Sequence, residues 1–248
     1  MAAIYALWMR EILRCTRARS QLIAFLGQPV LYLFVLGFGL NGVFRESGRG
    51  DYIQFVAPGI VAMTVLYAAS YSGMSLLFDR QFGFIKETLV APVPRVLIVV
   101  GQASGIASVA LLQGALVGVV CVIAGFRCSS AALLPEGMGF VVLVAFVFAG
   151  VGLALGATLK QAQGFQLAMS YLIAPIFLLS GALFPQDKLP RALWILTRLD
   201  PLAYGVDGIR GALLGQWQFG PGTDAVVLLA LAVMFIALAA WRFSKVEV

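Results

Sequence analysis

Residues 137–159, GMGFVVLVAFVFAGVGLALGATL, decide the fold class, because none of these 23 side chains carries a charge. A helix needs about 20 apolar residues to cross the roughly 30 Å hydrocarbon core of a bilayer. Five further charge-free stretches, of 25, 27, 31, 26 and 17 residues, occur along the 248-residue chain. Only 11% of the residues are charged and 61% are hydrophobic, which excludes a water-soluble globular domain. We therefore predict an all-α membrane protein, a single transmembrane domain over residues 1–248 with six transmembrane helices.

The six predicted spans follow the charge-free stretches and cover about residues 22–41, 52–78, 96–126, 137–159, 161–183 and 225–241. Pro58 and Gly59 are expected to interrupt the first turns of the second span, because a proline removes a backbone hydrogen bond of a helix. Pro175 is expected to kink the fifth span. Only Lys160 separates the fourth and fifth spans, which are therefore predicted to form a tight hairpin. The sixth span is predicted to be the shortest.

The distribution of charge predicts the orientation in the membrane. Ten of the 17 Lys and Arg residues fall on the side that holds both termini, the 79–95 loop and Lys160. Seven of the 11 acidic residues fall on the opposite side. Because loops rich in Lys and Arg stay in the cytoplasm, both termini are predicted to be cytoplasmic and the 187–224 segment external.

The N-terminal segment has the pattern of an amphipathic helix. Arg10, Arg14 and Arg17 recur at helical spacing, and apolar side chains occupy the other side of the helical wheel. We predict that residues 1–20 form an interfacial helix in the membrane surface, the alternative being an ordinary basic tail before the first span. The other basic residues are scattered along loop ends. The net charge of +6 therefore indicates contact with anionic membrane lipids and no nucleic acid partner.

The segment from residue 184 to 224 contains two further amphipathic patterns. One begins at Pro190 and the other at Pro201, and in the second Asp207 and Arg210 lie away from the apolar face. Two short helices after a span with an internal proline favour a partly re-entrant external hairpin between the fifth and sixth helices. A loop that lies on the membrane surface is the alternative.

The predicted spans contain no Asp, Glu, Lys, Arg or His side chain, and this absence restricts the mechanism. A charge inside a membrane costs roughly 2.5 to 3.5 kcal/mol, so such residues are kept where they move protons, ions or substrate. The sequence has no histidine, no metal-ligand cluster and no GxxxxGK[ST] phosphate-binding loop. The chain is therefore predicted not to be an enzyme, and its energy source is expected on a separate polypeptide.

Two glutamines are the main polar groups of the third predicted span. Gln102 and Gln113 are eleven residues apart, which is three helical turns, and so they share one helix face. This placement makes them candidates to line a substrate path. Hydrogen bonding between helices is the alternative.

Two runs between the second and third spans carry a family resemblance, FDRQFG at residues 78–83 and KETLVAPVP at residues 86–94. They resemble the cytoplasmic loop after the second span in ABC-2 type permeases of ATP-binding cassette exporters. Further similar stretches occur in the same order along nearly the whole chain: YIQFVAPG at 52–59, LSG at 179–181, FP at 184–185, LP at 189–190, and DP at 200–201 followed by Tyr204, Asp207, Arg210 and Gly215.

The resemblance implies a partner arrangement. In that family two six-span permease subunits, identical or different, pair with two nucleotide-binding subunits that hold ATP and Mg²⁺, and this chain would hold no cofactor. The 79–95 loop would form a cytoplasmic coupling loop that sits in a groove of the ATPase. The implied ATPase contacts are Asp79, Arg80, Phe82, Gly83, Phe84, Lys86 and Glu87. Gln81 departs from the family pattern, which often has an acidic residue there.

The resemblance also implies a function and a location. It points to a multi-pass permease of the bacterial or archaeal plasma membrane that exports a hydrophobic or amphipathic small molecule, such as a drug, an antibiotic or a lipid-linked compound. Export of a polysaccharide or lipo-oligosaccharide is the alternative. A passive channel or a membrane assembly subunit is the rival from a different class.

Overall fold

The structure, a computed structural model, describes residues 2–17, 19–46, 50–82, 94–129, 133–186 and 190–245. Within these ranges the regular structure consists of helices. They are α1 (Ala2–Arg17), α2 (Arg19–Gly39), α3 (Asn41–Glu46), α4 (Tyr52–Ser72), α5 (Met74–Gln81), α6 (Arg95–Ile123), α7 (Leu134–Thr158), α8 (Ala162–Leu179), α9 (Arg191–Leu199), α10 (Pro201–Leu214) and α11 (Pro221–Ser244).

Five helices of the described ranges are long and apolar enough to cross a membrane: Tyr52–Gln81, which joins α4 and α5, and then α6, α7, α8 and α11. The apolar part of α2, Leu26–Gly39, is shorter than this length. The all-helical membrane architecture predicted from the sequence is therefore confirmed. The sixth crossing, through α2, stays a prediction, as does the re-entrant hairpin.

The break in the second span does not lie where the sequence predicted it. Helix α4 continues through Pro58 and Gly59, and both residues are buried. Pro58, the seventh residue of α4, leaves the Gln54 carbonyl without its intrahelical donor, but the helix continues to Ser72 despite this loss. The break lies instead at Gly73, whose amide donates to the Ser70 carbonyl at 3.2 Å as α4 ends. A Cβ atom at Gly73 would overlap the backbone of Gly152 in α7, so the close crossing of the two helices requires glycine here.

The prediction that the sixth span is the shortest is wrong. Helix α11 has 24 residues and α8 has 18, so α8 is the shortest of the five candidate spans. The charge pattern had placed the start of the sixth span after Asp224, whereas in the structure Asp224 lies inside α11 and its side chain is completely buried. Pro221 at the first helical position accounts for the earlier start, since a proline there loses no hydrogen bond.

Helix α7 lies at the centre of the bundle, where it packs most extensively against α11 and α4 and also against α10 and α6. Its connection to α8 is short, since only residues 159–161 separate the two helices. The prediction that they form a tight hairpin is nevertheless wrong. They share few contacts, because Leu159 and Gln161 are extended and lead the chain away from α7. Helix α8 therefore packs on the rest of the bundle only sparsely.

The two ends of the bundle bring together different segments. At one end, the Asp79 end, α1, the last turn of α5, the start of α6 and the 159–161 connection meet. At the other, the Arg210 end, α10 meets the first turns of α4 and the turn at residues 180–186. Segments predicted to share one side of the membrane thus lie at the same end. Which end faces the cytoplasm stays a prediction.

Candidate functional site

An ion-pair network at the Asp79 end joins the N-terminal helix to the end of α5. Arg10 Nη2 lies 2.6 Å from Asp79 Oδ2, and Arg14 Nη2 lies 3.3 Å from Asp79 Oδ1. Only 4% of Asp79 is exposed. Both carboxylate oxygens of Asp79 are thus occupied by arginines of α1. Charge-assisted bonds of this kind are roughly twice as strong as neutral ones, which makes the network a firm link between the two elements.

Glu11 is the second carboxylate of this network. Its Oε1 lies 3.4 Å from Arg10 Nη2 and 3.5 Å from Arg14 Nη1. Burial raises the pKa of Glu11, and the two neighbouring arginines act in the opposite direction. The Glu11 side chain is also packed against Gly105 of α6, where a Cβ atom would meet it. Two acidic and two basic residues therefore form one compact group between α1, α5 and α6.

Helix α1 lies along α6 and is held there by a polar contact as well as by packing. Trp8 Nε1 donates to Ser108 Oγ at 2.9 Å. The two helices have one of the largest interfaces of the described chain. The interfacial helix predicted from the sequence is therefore present as a helix packed on α6. Its position in the membrane surface stays a prediction.

The next residue, Arg80, has a different set of partners. Its Nη1 atom donates to the carbonyls of Ala157 at 2.6 Å, Leu159 at 3.3 Å and Gly156 at 3.5 Å. These carbonyls lie at the C-terminal end of α7, which lacks intrahelical donors and carries partial negative charge. Gln81 Nε2 adds a bond to the Lys160 carbonyl at 2.9 Å. The end of α5 is thus attached to the connection between α7 and α8.

The structure divides the predicted ATPase contacts into two groups. The side chain of Asp79 binds α1 and that of Arg80 binds α7, whereas Phe82 is 70% exposed. Gly83, Phe84, Lys86 and Glu87 lie outside the described residues. Of the N-terminal arginines, Arg10 and Arg14 bind Asp79, and Arg17 is exposed. The assignment of ATPase contacts stays a prediction for the whole set.

Sequence reasoning missed the pairing of α1 with Asp79. Glu11 within an arginine-rich segment was a signal, because it lies three residues before Arg14 and therefore on the same helix face. The Asp79 contact had no such local signal, since it joins residues 69 positions apart.

The two predicted path glutamines lie inside the bundle. Gln102 and Gln113 are both buried on α6, which agrees with a shared helix face. In the part of the chain that the structure describes, neither Oε1 atom has a hydrogen-bond partner. Their role in a substrate path stays a prediction.

The Arg210 end contains a buried Asp207 and a half-buried Arg210, both of which the wheel pattern had placed away from the apolar face. Arg210 Nη2 donates to the carbonyls of Phe55 at 3.1 Å and Gly181 at 3.0 Å. Its guanidinium also stacks on the Phe55 ring at 4.0 Å. Asp207 accepts the backbone amides of Gln218 at 2.8 Å and Phe219 at 2.7 Å. Both residues therefore hold α10 to its neighbours, and neither lies on a solvated face.

The outward faces of the candidate spans differ in polarity. On α8 the exposed side chains include the polar Gln163, Gln166, Ser170 and Tyr171, of which Tyr171 is 80% exposed, and the apolar Leu167 and Leu178. On α11 the exposed positions in the middle of the helix are apolar: Val226, Leu229, Val233, Met234 and Leu238. Uncharged polar groups are unfavourable against lipid tails. Among the described spans, the polar positions on the outward face of α8 thus favour a polar neighbour.

Comparison with known proteins adds a family match. The model of the ABC-2 type transporter family matches residues 2–214. Nodulation protein J of Rhizobium leguminosarum bv. viciae is 30% identical over 214 residues, which cover 85% of this chain and 82% of that protein. Nodulation protein J of Rhizobium leguminosarum bv. trifolii is 32% identical over 216 residues, with 85% and 81% coverage. The putative transport permease ycf38 of Cyanophora paradoxa is 29% identical over 210 residues, with 84% and 72% coverage.

Proposed function

Because the chain belongs to the ABC-2 type transporter family, we propose that it is the permease subunit of an ATP-driven exporter, which moves a hydrophobic or amphipathic small molecule out of the cytoplasm. The chain is a multi-pass membrane protein of the family's transmembrane type. ATP and Mg²⁺ would be bound by a separate nucleotide-binding subunit. Both termini and the Asp79 end would face the cytoplasm, where that subunit is found.

The observation that carries this proposal is the construction of the Asp79 end. A buried ion-pair network and a set of carbonyl contacts fix the last turn of α5, and the next side chain, Phe82, is exposed. An exposed apolar side chain beside a firmly held helix end is suited to bind another protein. Because the helix end is held, movement of the bound protein would displace it. The residues that follow, Gly83 to Glu87, would complete the contact with the ATPase.

The polar outward face of α8 supports a second permease subunit, identical or different. If α8 of each subunit faced the other, Gln163, Gln166, Ser170 and Tyr171 would line a polar path between them instead of contacting lipid. Gln102 and Gln113, buried in α6, would then act in packing or in a second part of the path. The apolar outward face of α11 would contact lipid.

The same face favours a second class of substrate. Amide and hydroxyl groups without a formal charge are suited to bind the hydroxyl groups of a sugar, and an aromatic ring such as Tyr171 can stack on it. A lipo-oligosaccharide or polysaccharide is therefore the alternative substrate, and it would use the same path. A passive channel would not need an end of α5 that is fixed by ion pairs and carbonyl contacts.

The experiment that tests the proposal is co-purification of the chain with a co-expressed nucleotide-binding subunit. Phe82→Glu and Glu87→Lys are expected to lose that subunit, whereas Arg45→Gln, an exposed change at the opposite end, is expected to retain it. Association that is unchanged in both variants would contradict the docking assignment. Transport in vesicles that lack the ATPase would favour a passive channel.

A further inference from the structure

We propose that Arg80 is a positioning residue that locks the end of α5 to the α7–α8 connection, so that displacement of the ATPase-facing segment is passed to α8. This inference rests on the proposed function, since it takes the residues after Gln81 as the place where the ATPase binds. It gives Arg80 a role inside the permease instead of a direct contact with the ATPase.

The first argument is the geometry of the Arg80 guanidinium. Three carbonyls converge on its Nη1 atom, and the shortest distance, to Ala157, is 2.6 Å. A cation at the C-terminal end of a helix is stabilised by the helix dipole and by carbonyls that have no other donor. Arg80 is half-buried in this position, and its Nη1 atom is directed at α7.

The second argument is that α5 is fixed to α7 at two points. At its start, Gly73 and Gly152 bring the two backbones into contact, and a Cβ atom at Gly156 would overlap the Gly73 carbonyl. At its end, Arg80 and Gln81 bind the carbonyls of residues 156, 157, 159 and 160. A short helix held at both ends moves together with the element that holds it. Displacement of α5 would therefore displace the end of α7.

The third argument concerns α8, which carries the polar outward face. Helix α8 makes few contacts with the rest of the bundle, and residues 159–161, of which Leu159 and Gln161 are extended, join it to α7. Gln81 and Arg80 bind this connection directly. Helix α5 also contacts α8 itself, so movement of the connection and movement of this contact are the two inputs that α8 can receive from the Asp79 end.

Asp79 and Arg80 attach the end of α5 to two different helices. Asp79 binds α1, and Arg80 binds α7, although the residues are adjacent. Loss of the Asp79 contacts would detach α1 from α5, while its packing on α6 and the link between α5 and α8 stay in place. Loss of Arg80 would leave α1 attached and remove the guanidinium bonds to the end of α7 and to the α7–α8 connection. The two roles are therefore separable by mutation.

The test measures the movement of α8 without the need for a known substrate. In a chain with Cys15, Cys121 and Cys128 replaced by serine, Tyr171→Cys places a thiol at an exposed position of α8. Its rate of reaction with a maleimide is measured in the complex with the ATPase, with and without ATP and vanadate. We expect ATP to change this rate in the parent chain. Arg80→Gln is expected to reduce the change by about tenfold, the equivalent of one charge-assisted hydrogen bond.

Co-purification of the ATPase decides between the two roles of Arg80. If Arg80 acts inside the permease, Arg80→Gln retains the ATPase subunit while the response of α8 is lost. Loss of the subunit to the same extent as in Phe82→Glu would make Arg80 an ATPase contact and overturn the proposal. A full response in Arg80→Gln would also overturn it. Absence of the ATPase from the parent complex would instead contradict the proposed function.

Two milder variants keep the test decisive if Arg80→Gln does not fold. Arg80→Lys retains the charge but lacks the planar fork, and Gln81→Ala removes the bond to the Lys160 carbonyl from an exposed position. Both are expected to bind the ATPase and to show a reduced response of α8. A parent-like response in both variants would overturn the proposal. Arg45→Gln serves as the control, because it removes an exposed arginine at the other end of the bundle.

Discussion

The Asp79 carboxylate lies 2.6 Å from the guanidinium of Arg10, although 69 positions of sequence separate the two residues. This contact joins the N-terminal helix to the segment that we propose as the ATPase docking site. The arginine pattern of the N-terminal helix, interpreted from the sequence as facing lipid headgroups, therefore has a protein partner as well.

Asp79→Ala is expected to lower the free energy of unfolding by about 2 kcal/mol, because Arg10 and Arg14 lose the charged acceptor that they share. Thermal unfolding in detergent, followed by circular dichroism, measures this change. Asp51→Ala is the matched control. Its partner Arg45 is exposed, so its removal should cost no more than about 1 kcal/mol. Equal changes in the free energy of unfolding would show that the Asp79 network stabilises the fold no more than the exposed Arg45–Asp51 pair does.

Gly152→Ala is expected to destabilise the bundle, because the added Cβ atom would overlap the backbone of α4 at Ser70. A forced separation of two packed helices costs about 1 to 3 kcal/mol. Gly118→Ala is the control, since no atom lies within 4 Å of a Cβ at that position. It should leave stability unchanged or raise it by up to about 1 kcal/mol, as expected for alanine in a helix. A lower melting temperature of Gly118→Ala than of Gly152→Ala would contradict the close crossing.

Asp200 is expected to give stability a dependence on pH. Its Oδ1 accepts the Leu202 amide at 2.9 Å at the start of α10, and burial raises its pKa to about 8, against a smaller opposite effect of that amide. The folded state therefore holds a proton that the unfolded state releases near pH 4, so Asp200 destabilises the fold as the pH rises toward 8.

Asp200→Asn keeps the cap and removes the ionisable group, so its stability relative to the parent should increase between about pH 4 and pH 8. Asp200→Ala should cost about 1 kcal/mol at low pH through loss of the cap. Melting temperatures of the three proteins over this pH range provide the measurement. A constant difference between the parent and Asp200→Asn would refute the assigned pKa shift.

Changes on the outward face of α8 should affect transport and leave assembly intact. Gln166→Leu combined with Ser170→Ala removes two uncharged polar groups from this face. If they line the substrate path, export falls by about tenfold while co-purification with the ATPase is retained. Val233→Leu, on the apolar outward face of α11, is the control and should have no effect on export. Parent-like export by the double variant would show that Gln166 and Ser170 do not line the substrate path.

Much of the fold could be predicted because hydrocarbon imposes a simple length rule on apolar segments. The rule located the spans within a few residues wherever charges coincide with helix ends, as for α6 and α7. It failed at Asp224, where a buried acidic residue lies inside the helix, and at Gly73, where a helix crossing breaks the second span. Both exceptions depend on contacts between different helices, and these contacts cannot be predicted from the sequence of one helix alone.

The candidate site was predictable only in part for a similar reason. The FDRQFG motif drew attention to Asp79 and Arg80 through a resemblance, and it implied that both residues face outward. The structure shows their contacts with Arg10 and with the carbonyl of Ala157, 69 and 77 positions away. The polar face of α8 was hidden because its amide and hydroxyl groups do not interrupt a stretch defined by charge alone.

Photo-crosslinking at position 82 is the most direct test of the claim that an ATPase drives this chain from the Asp79 end. A photoreactive phenylalanine analogue would replace Phe82 in one sample and Phe184, at the opposite end, in a second sample, each co-expressed with the nucleotide-binding subunit. The account predicts that position 82 forms a crosslink to that subunit and that position 184 does not. A crosslink from position 184, with none from position 82, would contradict it.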